Sequence, residues 1–168
     1  MSVDVRPLRR DDASAVAALA GEFAEYLRVL GDSGPHRLTA AAIERDGCGP
    51  SPAFGGLVAA GADAPVGADA PVGVHGLAGY LLYTLGYDAD LAARNLFIID
   101  LYVRPAARRQ GAARALLAAA TDVCRAAGGA YLFWAVYQPN RLAADFYSAL
   151  GARYIDDLDF MYVDVGAG

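Results

Sequence analysis

The chain has no lysine, so all 14 of its basic residues are arginines, and 19 aspartates and glutamates outnumber them. The formal net charge is −5. A nucleic-acid-binding protein usually presents a net basic face, so the composition disfavours that class of function. An acidic protein is better suited to a cationic substrate, because its summed charge attracts cations.

Cysteine and histidine are also scarce. Cys48 and Cys124 fall in no metal-binding or catalytic spacing. Two scattered thiols are typical of a reducing compartment, so we expect a cytoplasmic protein. His36 and His75 are isolated in the sequence, and we interpret both as structural. The sequence therefore predicts no metal site.

Long apolar runs are missing as well. The longest uncharged stretch, residues 70–87, has 18 residues but contains Pro71 and several glycines, which suit a lipid-exposed helix poorly. Residues 1–12 mix three arginines with three aspartates and have no apolar centre, so we expect no secretory signal peptide. We predict no membrane partner.

A chain of 168 residues can bury a sizeable core, and we predict a single domain over residues 1–168. The hexapeptide Gly-Ala-Asp-Ala-Pro-Val occurs twice in tandem, at residues 61–66 and 67–72. Two copies are too few for a solenoid, and each contains glycine and proline. We therefore interpret residues 61–75 as a lengthened, flexible connection between two strands.

The most informative stretch runs from residue 96 to residue 128. Residues 96–103 are nearly all apolar and contain one carboxylate, Asp100, which is typical of a central strand that is covered on both faces. Pro105 then ends strand pairing, because it has no N–H to donate. A helical period begins at Ala112.

The turn between this strand and this helix predicts an anion site. The first turn of a helix has unpaired N–H donors and a partial positive charge, and Gly111 would let a phosphate approach the backbone closely. The alternative is a basic, solvated helix start with a turn glycine. The residues of the turn alone leave both interpretations open.

Strands and helices mix without strict βαβ repetition, which predicts an α+β fold with a mixed sheet of six or seven strands and about four helices. The predicted strands cover residues 3–8, 54–60, 76–87, 96–103, 131–136, 153–154 and 160–164. The predicted helices follow a capping Asp11 or Asp12, a capping Thr39, Gly111 and Asn140.

The sequence Arg108-Arg109-Gln110-Gly111-Ala112-Ala113 resembles the Gln/Arg-x-x-Gly-x-Gly/Ala signature of the GCN5-related N-acetyltransferase (GNAT) superfamily. The similarity extends over nearly the whole chain. It implies a mostly antiparallel sheet that is splayed between strands four and five, with acetyl-CoA as co-substrate. The residues that it assigns to acetyl-CoA are Leu101, Tyr102 and Val103 on the strand, Arg108, Arg109, Gln110, Gly111, Ala112, Ala113 and Arg114 in the loop and helix start, and Asn140, Ala143 and Phe146 near the last helix.

Four local matches resemble the diamine (spermidine/spermine) and thialysine acetyltransferase branch of this superfamily. They are Leu38-Thr39 ahead of Glu44-Arg45-Asp46-Gly47, then Tyr87-Asp88, then Asp100-Leu101-Tyr102-Val103, and Asn140 with Asp145-Phe146-Tyr147 and Gly151-Ala152. The branch implies a homodimer that acetylates a primary amine on a small cationic acceptor. Ile99 and Leu27 stand where the branch often has acids, which leaves a shorter amine or an amino-acid side chain open beside a long polyamine.

Amine acetylation needs a neutral amine and a protonated thiol leaving group. The resemblance implies that Tyr147 is the general acid; the alternative is an aromatic residue that packs on a strand. Asp100 is the candidate to accept the amine proton or orient the ammonium, because a carboxylate inside a hydrophobic strand needs a partner. The alternative is a structural ion pair with an arginine. The predicted acceptor-binding residues are Glu25, Tyr26, Asp88, Asp100 and Trp134.

Two classes of function remain open at this point. The first is an N-acetyltransferase that uses acetyl-CoA. The second is a non-catalytic acyl-CoA-binding sensor or partner module on the same fold, since fold does not determine function. The presence of both Tyr147 and Asp100 favours the enzyme, because a binding module would need only the phosphate-binding loop.

Overall fold

The structure is a computed structural model that describes residues 3–60, 76–156 and 158–166. The connection predicted at residues 61–75 lies outside the described residues. The chain divides into two compact units, Met1–Ala135 and Val136–Gly168. The larger unit holds the sheet and the first three helices, and the smaller holds the last helix. The single domain expected from the sequence stays a prediction.

Five strands form one sheet within the described residues, in the order β1-β2-β3-β4-β5. All neighbouring pairs are antiparallel except β4 and β5, which are parallel. The predicted α+β class with a mostly antiparallel sheet is therefore confirmed. The strands are β1 (Asp4–Pro7), β2 (Gly55–Ala60), β3 (Leu77–Asp88), β4 (Ala93–Val103) and β5 (Gly129–Trp134).

The strand count is lower than the six or seven predicted. The two closing strands expected at residues 153–154 and 160–164 are not strands in the described part of the chain. Their apolar side chains remain largely exposed, with Met161 and Tyr162 at 94% and 96%. An alternating pattern forms a stable strand only when a neighbouring strand and an apolar surface complete it, and here the burial is missing.

The described residues also form four helices, the number that the sequence predicts, and two short 3-10 turns. They are α1 (Ala13–Val29), α2 (Ala40–Asp46), α3 (Ala112–Ala126) and α4 (Arg141–Ser148), with the 3-10 turns at Arg10–Asp12 and Pro105–Ala107. None of the described helices is long and apolar enough to span a bilayer.

The helix caps are partly as predicted. The Thr39 hydroxyl accepts a hydrogen bond from the N–H of Ala42 at 3.2 Å, which confirms it as the cap of α2. Asp12 precedes α1, but its side chain caps no N–H of that helix. Its carboxylate accepts two bonds from the Arg6 guanidinium, at 2.6 and 2.8 Å, and one from the N–H of Arg9. The predicted N-cap position, Asp11 or Asp12, is therefore right for Asp12, but the capping hydrogen bond is absent because Arg6 and the Arg9 N–H occupy its carboxylate.

Two apolar clusters cover opposite faces of the sheet. The first joins α1 and α2 to one face and includes Leu19, Ile43, Val58, Tyr80, Leu82 and Tyr102. The second joins α3 to the other face and includes Leu57, Leu81, Leu96, Ile98, Val103 and Leu116. Successive residues at 57–59 in β2, 80–83 in β3 and 101–103 in β4 alternate between the clusters, as a buried sheet requires.

A β-bulge in β4 decides which face Asp100 occupies. Asp100 pairs with Leu82, but Ile98 pairs with Tyr83, so Ile99 is an extra residue without a cross-strand partner. Without the bulge, Asp100 would share the α3 face with Ile98. With it, Asp100 shares the α1 face with Tyr102. The parallel pairing of β5 also stops at Ile98, opposite Trp134, while β4 continues to Val103. The predicted splay between strands four and five therefore begins at the bulge.

Candidate active site

The loop between β4 and α3 has the geometry that the sequence predicts for an anion site. Gly111 occupies the N-cap position of α3 with φ +89°, and Arg109 has φ +63°. A Cβ at Gly111 would meet no protein atom within 4 Å, so the space beside it is open. Glycine is required here for its left-handed backbone, and the open space lets a ligand come close.

The loop also presents unpaired donors. Among the described residues, none of the six backbone N–H groups from Arg109 to Arg114 has a hydrogen-bond acceptor; the first paired N–H is that of Ala115, bonded to the carbonyl of Gly111. Because the N-cap is glycine, no side chain caps these donors. The phosphates of acetyl-CoA fit such a row of N–H groups at the positive end of a 15-residue helix.

Asp100 lies on the α1 face of β4 as a half-buried carboxylate. The hydroxyl of the fully buried Tyr80 donates a hydrogen bond of 3.2 Å to its Oδ2. Burial raises the pKa of Asp100 to about 6, although the Tyr80 hydrogen bond and the charge of His36 act in the opposite direction. In the described part of the chain no arginine pairs with Asp100, so its partner is a tyrosine rather than the arginine of the alternative interpretation.

The two residues predicted on α1, Glu25 and Tyr26, differ in their surroundings. The Arg108 guanidinium lies over the ring of Tyr26, 5.2 Å from its centroid, which joins α1 to the loop between β4 and α3. Glu25 pairs with Arg28 one turn along the helix and is largely exposed. The structure thus brings Tyr26 to the loop, while the charge of Glu25 is already paired.

Glu22, which the sequence reasoning missed, binds two residues at the end of β4. Arg104 donates to its carboxylate from Nη2 at 2.6 Å and from Nε at 3.1 Å, and the Tyr102 hydroxyl donates at 3.3 Å. Burial and the charge of Glu22 raise the pKa of Tyr102 to about 12. Tyr102 is therefore a hydrogen-bond donor at neutral pH.

The end of β4 offers backbone groups to a ligand. From Asp100 to Val103 the strand pairs with β3 on one edge and has no β5 partner on the other. The carbonyl of Val103 accepts one hydrogen bond, from Arg108 Nε at 3.1 Å, and a carbonyl has two lone pairs. Leu101 and Tyr102 lie in the same splayed stretch.

Asp88 and Trp134 lie away from Asp100. Asp88 ends β3, six residues beyond Leu82 along the strand, or about 20 Å at the usual rise. Its carboxylate accepts hydrogen bonds from the Tyr131 hydroxyl at 2.5 Å and the N–H of Leu91 at 3.0 Å. Trp134 packs against the cluster on the α3 face, opposite to the face of Asp100. The structure does not bring these two residues together with Asp100.

The remaining predicted residues belong to the smaller unit. Asn140 is buried and caps α4, since its Oδ1 accepts from the N–H of Ala143 at 3.2 Å. Phe146 and Tyr147 are half-buried on α4 with ring centroids 5.3 Å apart. Within this unit, the residues assigned to acetyl-CoA and the candidate acid therefore share one short helix.

Four residues that act on the candidate site were not predicted to do so. Tyr80 was read only as part of a strand, and nothing local distinguishes it from the other tyrosines of β3. Glu22 and Arg104 are 82 residues apart in the sequence, so no spacing rule links them. His36 was interpreted as structural. Leu38, two residues after His36, packs against the apolar cluster on the α1 face. An apolar residue at that loop position was the sequence feature that could have indicated that the loop covers this face.

A metal role has no support in the described ranges, where no group of three or more histidine, cysteine, aspartate or glutamate side chains is arranged to hold an ion. Cys48 and Cys124 are free thiols.

Comparison with known proteins agrees with this geometry. The acetyltransferase (GNAT) family model matches residues 56–152, more than half of the chain. A thialysine N-epsilon-acetyltransferase of Bos taurus is 31% identical over 157 residues, which cover 94% of this chain and 88% of the relative.

Two solved structures share the fold. A ribosomal-protein-alanine N-acetyltransferase from Brucella melitensis biovar Abortus 2308 has a TM-score of 0.70 at 20% identity, covering 98% of this chain and 100% of the other. The structure of AAC(6')-Iy in complex with a bisubstrate analog, CoA-S-monomethyl-acetylneamine, has a TM-score of 0.68 at 16% identity, covering 98% and 99%.

The chain belongs to the acetyltransferase (GNAT) family. The resemblance to the branch that contains the thialysine enzymes is confirmed by the bovine relative. The chain is an acetyl-CoA-dependent N-acetyltransferase, as the sequence predicts. These relatives favour the enzyme over the alternative, a non-catalytic acyl-CoA-binding module.

Proposed function

We propose that the chain acetylates the primary amine of a small acceptor with a single cationic group at its reacting end. Acetyl-CoA would bind at the cofactor loop, residues 108–113, and Asp100 would receive the amine. One observation carries the proposal: a single strand, β4, places a half-buried carboxylate at its bulge and then leads directly into a loop of unpaired amides.

Acetyl-CoA supplies the activated acetyl group, and the chain supplies the binding groups. The N–H groups of Arg109 to Arg114 would hold its phosphates, because they are unpaired and lie at the positive end of α3. The open edge of β4 from Leu101 to Val103 would pair with the pantetheine arm as a neighbouring strand does. Asn140, Ala143 and Phe146 remain proposed contacts on the side of α4.

Asp100 would orient the ammonium and take its proton. With a pKa of about 6 the carboxyl is mostly ionised at neutral pH, so it attracts the cation. Transfer from an amine of pKa about 10 is uphill by roughly 5 kcal/mol at 1.36 kcal/mol per unit. The activation barriers that correspond to typical enzyme turnover numbers are several times larger than this roughly 5 kcal/mol. The proton transfer can therefore precede the attack of the amine on acetyl-CoA.

Tyr147 would protonate the departing thiolate. The proposal is supported by the match of its position to the family tyrosine and by a phenol O–H, which is a suitable donor to a thiolate. Tyr147 lies half-buried on α4, where its ring is held against Phe146. Loss of the hydroxyl should therefore remove the proton without removing the packing.

The charges around Asp100 favour a short acceptor. Glu22 is neutralised by Arg104 and Glu25 by Arg28, while Leu27 and Ile99 carry no charge. Of Glu22, Glu25 and Asp100, only Asp100 has no arginine partner among the described residues, so it is the one of the three that a cation can use. A polyamine needs several such groups along its length, whereas the side-chain amine of an amino acid such as thialysine needs one near the reacting nitrogen. The family resemblance further supports a homodimer, and the two scattered cysteines support a cytoplasmic location.

The experiment is a panel of amines incubated with acetyl-CoA while thiol release is recorded. Thialysine, ornithine, a short diamine, spermidine and spermine form the panel. We expect thialysine, ornithine or the short diamine to have a kcat/KM at least tenfold above that of spermine, the ratio expected of about 1.4 kcal/mol of extra transition-state binding. A preference for spermine would contradict the acceptor class, and no thiol release above hydrolysis with any amine would contradict the function.

A further inference from the structure

We propose that Glu22 is a positioning residue that ties α1 to the cofactor loop, so that acetyl-CoA bound at the loop fixes the acceptor-side helix. The proposal rests on the proposed function, because it takes the loop as the acetyl-CoA site and α1 as part of the acceptor site. Glu22 is neither one of the proposed acetyl-CoA-binding residues nor one of the proposed acceptor-binding residues.

The first tie is the ion pair between Glu22 and Arg104. Nη2 of Arg104 donates to Oε1 at 2.6 Å, and Nε lies 3.1 Å from both carboxylate oxygens. Tyr102 adds a third donor at 3.3 Å. Arg104 is only 9% exposed, so water competes little for its guanidinium. A two-point contact between a planar guanidinium and a carboxylate fixes orientation as well as distance.

Arg104 lies at the joint between β4 and the loop. Its N–H donates to the carbonyl of Ala78 at 2.9 Å, and its own carbonyl accepts from the N–H of Ala107 at 2.9 Å. Two further bonds close the segment on itself, from Arg108 Nε to Val103 and from Gln110 Nε2 to Ala106, each at 3.1 Å. A displacement of Arg104 is therefore transmitted to the loop.

A second tie lies one helical turn further along α1. The Arg108 guanidinium lies over the ring of Tyr26, 5.2 Å from the centroid, and Phe23 stacks on Tyr102 with centroids 5.4 Å apart. Residues 22, 23 and 26 share one face of a helix. The same helical face thus contacts both the end of β4 and the residue that opens the loop signature.

Stability alone does not explain the cluster formed by Glu22, Tyr102 and Arg104. Nη1 of Arg104 is buried and has no hydrogen-bond partner among residues 3–60, 76–156 and 158–166. An unmatched buried donor is unfavourable, and an ion pair whose carboxylate side chain is 39% exposed adds little to the free energy of unfolding. The pair does supply a fixed geometry between two elements, which is what a positioning role requires.

The test uses hydrogen exchange of α1 in the full chain, with and without saturating coenzyme A, and calorimetry to verify binding. Three proteins are compared: wild type, Glu22→Gln and the control Glu44→Gln. The control removes another ion pair between elements, Arg10 with Glu44 at 3.1 Å, which does not contact the loop. We expect coenzyme A to slow exchange at residues 20–29 by about fivefold or more in wild type and control, and by less than about twofold in Glu22→Gln.

The outcomes separate the two proposals. If wild type does not bind coenzyme A, the proposed function fails, and the coupling fails with it. If coenzyme A binds but α1 does not respond in wild type, or responds equally in Glu22→Gln, the coupling alone is overturned while the function stands.

A second variant guards against an unstable single substitution. Glu22→Gln leaves a buried guanidinium without its counter-ion, whereas Glu22→Gln with Arg104→Met removes both charges. We expect the double variant to melt at a higher temperature than Glu22→Gln and still lack the α1 response. Recovery of the response together with stability would show that Glu22 is only structural and would overturn the proposal.

Discussion

The hydroxyl of Tyr80 donates a 3.2 Å hydrogen bond to Asp100 Oδ2 across the β3–β4 pair. Burial and the adjacent carboxylate raise the pKa of Tyr80 well above its usual value, so the hydroxyl stays protonated and remains a donor. Burial raises the pKa of Asp100 to about 6, and the Tyr80 bond and His36 limit the rise. Asp100 therefore changes its charge between about pH 5 and pH 7.

Replacing Asp100 by Asn should lower kcat/KM by about 10²–10⁴-fold, the usual contribution of a general base. Asparagine keeps an oxygen that accepts from Tyr80, so the fold should persist. In wild type the rate should rise with pH through an apparent pKa of about 6 as Asp100 ionises. Steady-state rates from pH 5 to 9 check this. If the acidic limb of the pH–rate profile is unchanged in Asp100→Asn, that limb belongs to another titrating group and the assignment to Asp100 is wrong.

The same substitution should make the protein more stable at neutral pH. The folded-state pKa of Asp100 is raised above the ordinary 3.8, so the native state binds the proton more tightly than the unfolded state. The stabilising effect of that proton is complete below about pH 4 and is lost as pH rises through 6. We expect Asp100→Asn to exceed wild type in unfolding free energy by at most about 3 kcal/mol at pH 7.5, with little difference at pH 4. Urea titrations at both values measure it, and equal differences at the two pH values would refute the assignment.

Replacing Tyr80 by Phe should move the acidic limb to higher pH. The ring stays packed near Tyr102, but the donor that favours the ionised carboxylate is lost. The plateau rate should change less than in Asp100→Asn. Tyr83→Phe is the matched control, because Tyr83 lies on the same strand but packs against the α3 face. The pH–rate profiles of the two variants decide the point: an unshifted limb in Tyr80→Phe would mean that the hydrogen bond does not tune Asp100.

Replacing Gly111 by Val should raise the KM for acetyl-CoA at least tenfold. The side chain would occupy the open space beside the unpaired amides and would force a β-branched residue to φ +89°. Gly128→Val provides the control, because Gly128 has φ +74° with nothing within 4 Å and lies at the other end of α3. Both variants should lose similar stability, roughly 1–2 kcal/mol. Cofactor affinity measured by calorimetry should fall only in Gly111→Val; an equal loss in both would remove the loop from the binding site.

The central strand, the loop and the long helix could be predicted because their signals are local. The apolar run of β4, Gly111 and the 3.6-residue period of α3 each act within a few residues, and Thr39 caps α2 as its position indicates. These elements form the side of the candidate site to which we assign acetyl-CoA. The sequence predicted the elements themselves, whereas the assignment of their residues to acetyl-CoA stays a prediction.

The acceptor side depends on pairings that sequence does not display. The bulge at Ile99 is a property of strand register, and it turns Asp100 toward Tyr80. The pair of Glu22 with Arg104 joins residues 82 positions apart. The predicted closing strands failed for a related reason, because alternation at residues 160–164 does not reveal whether a partner surface exists.

The most direct test of the acid–base account is the rate of thiol release by Tyr147→Phe, measured across pH with an acceptor that the wild type uses. Tyr154→Phe, a largely exposed tyrosine of the same unit, is the control. We predict that kcat falls by about 10²–10⁴-fold in Tyr147→Phe, that the KM for acetyl-CoA changes little, and that the alkaline dependence of the wild-type rate is lost. A wild-type kcat in Tyr147→Phe would contradict the account and remove Tyr147 from the mechanism.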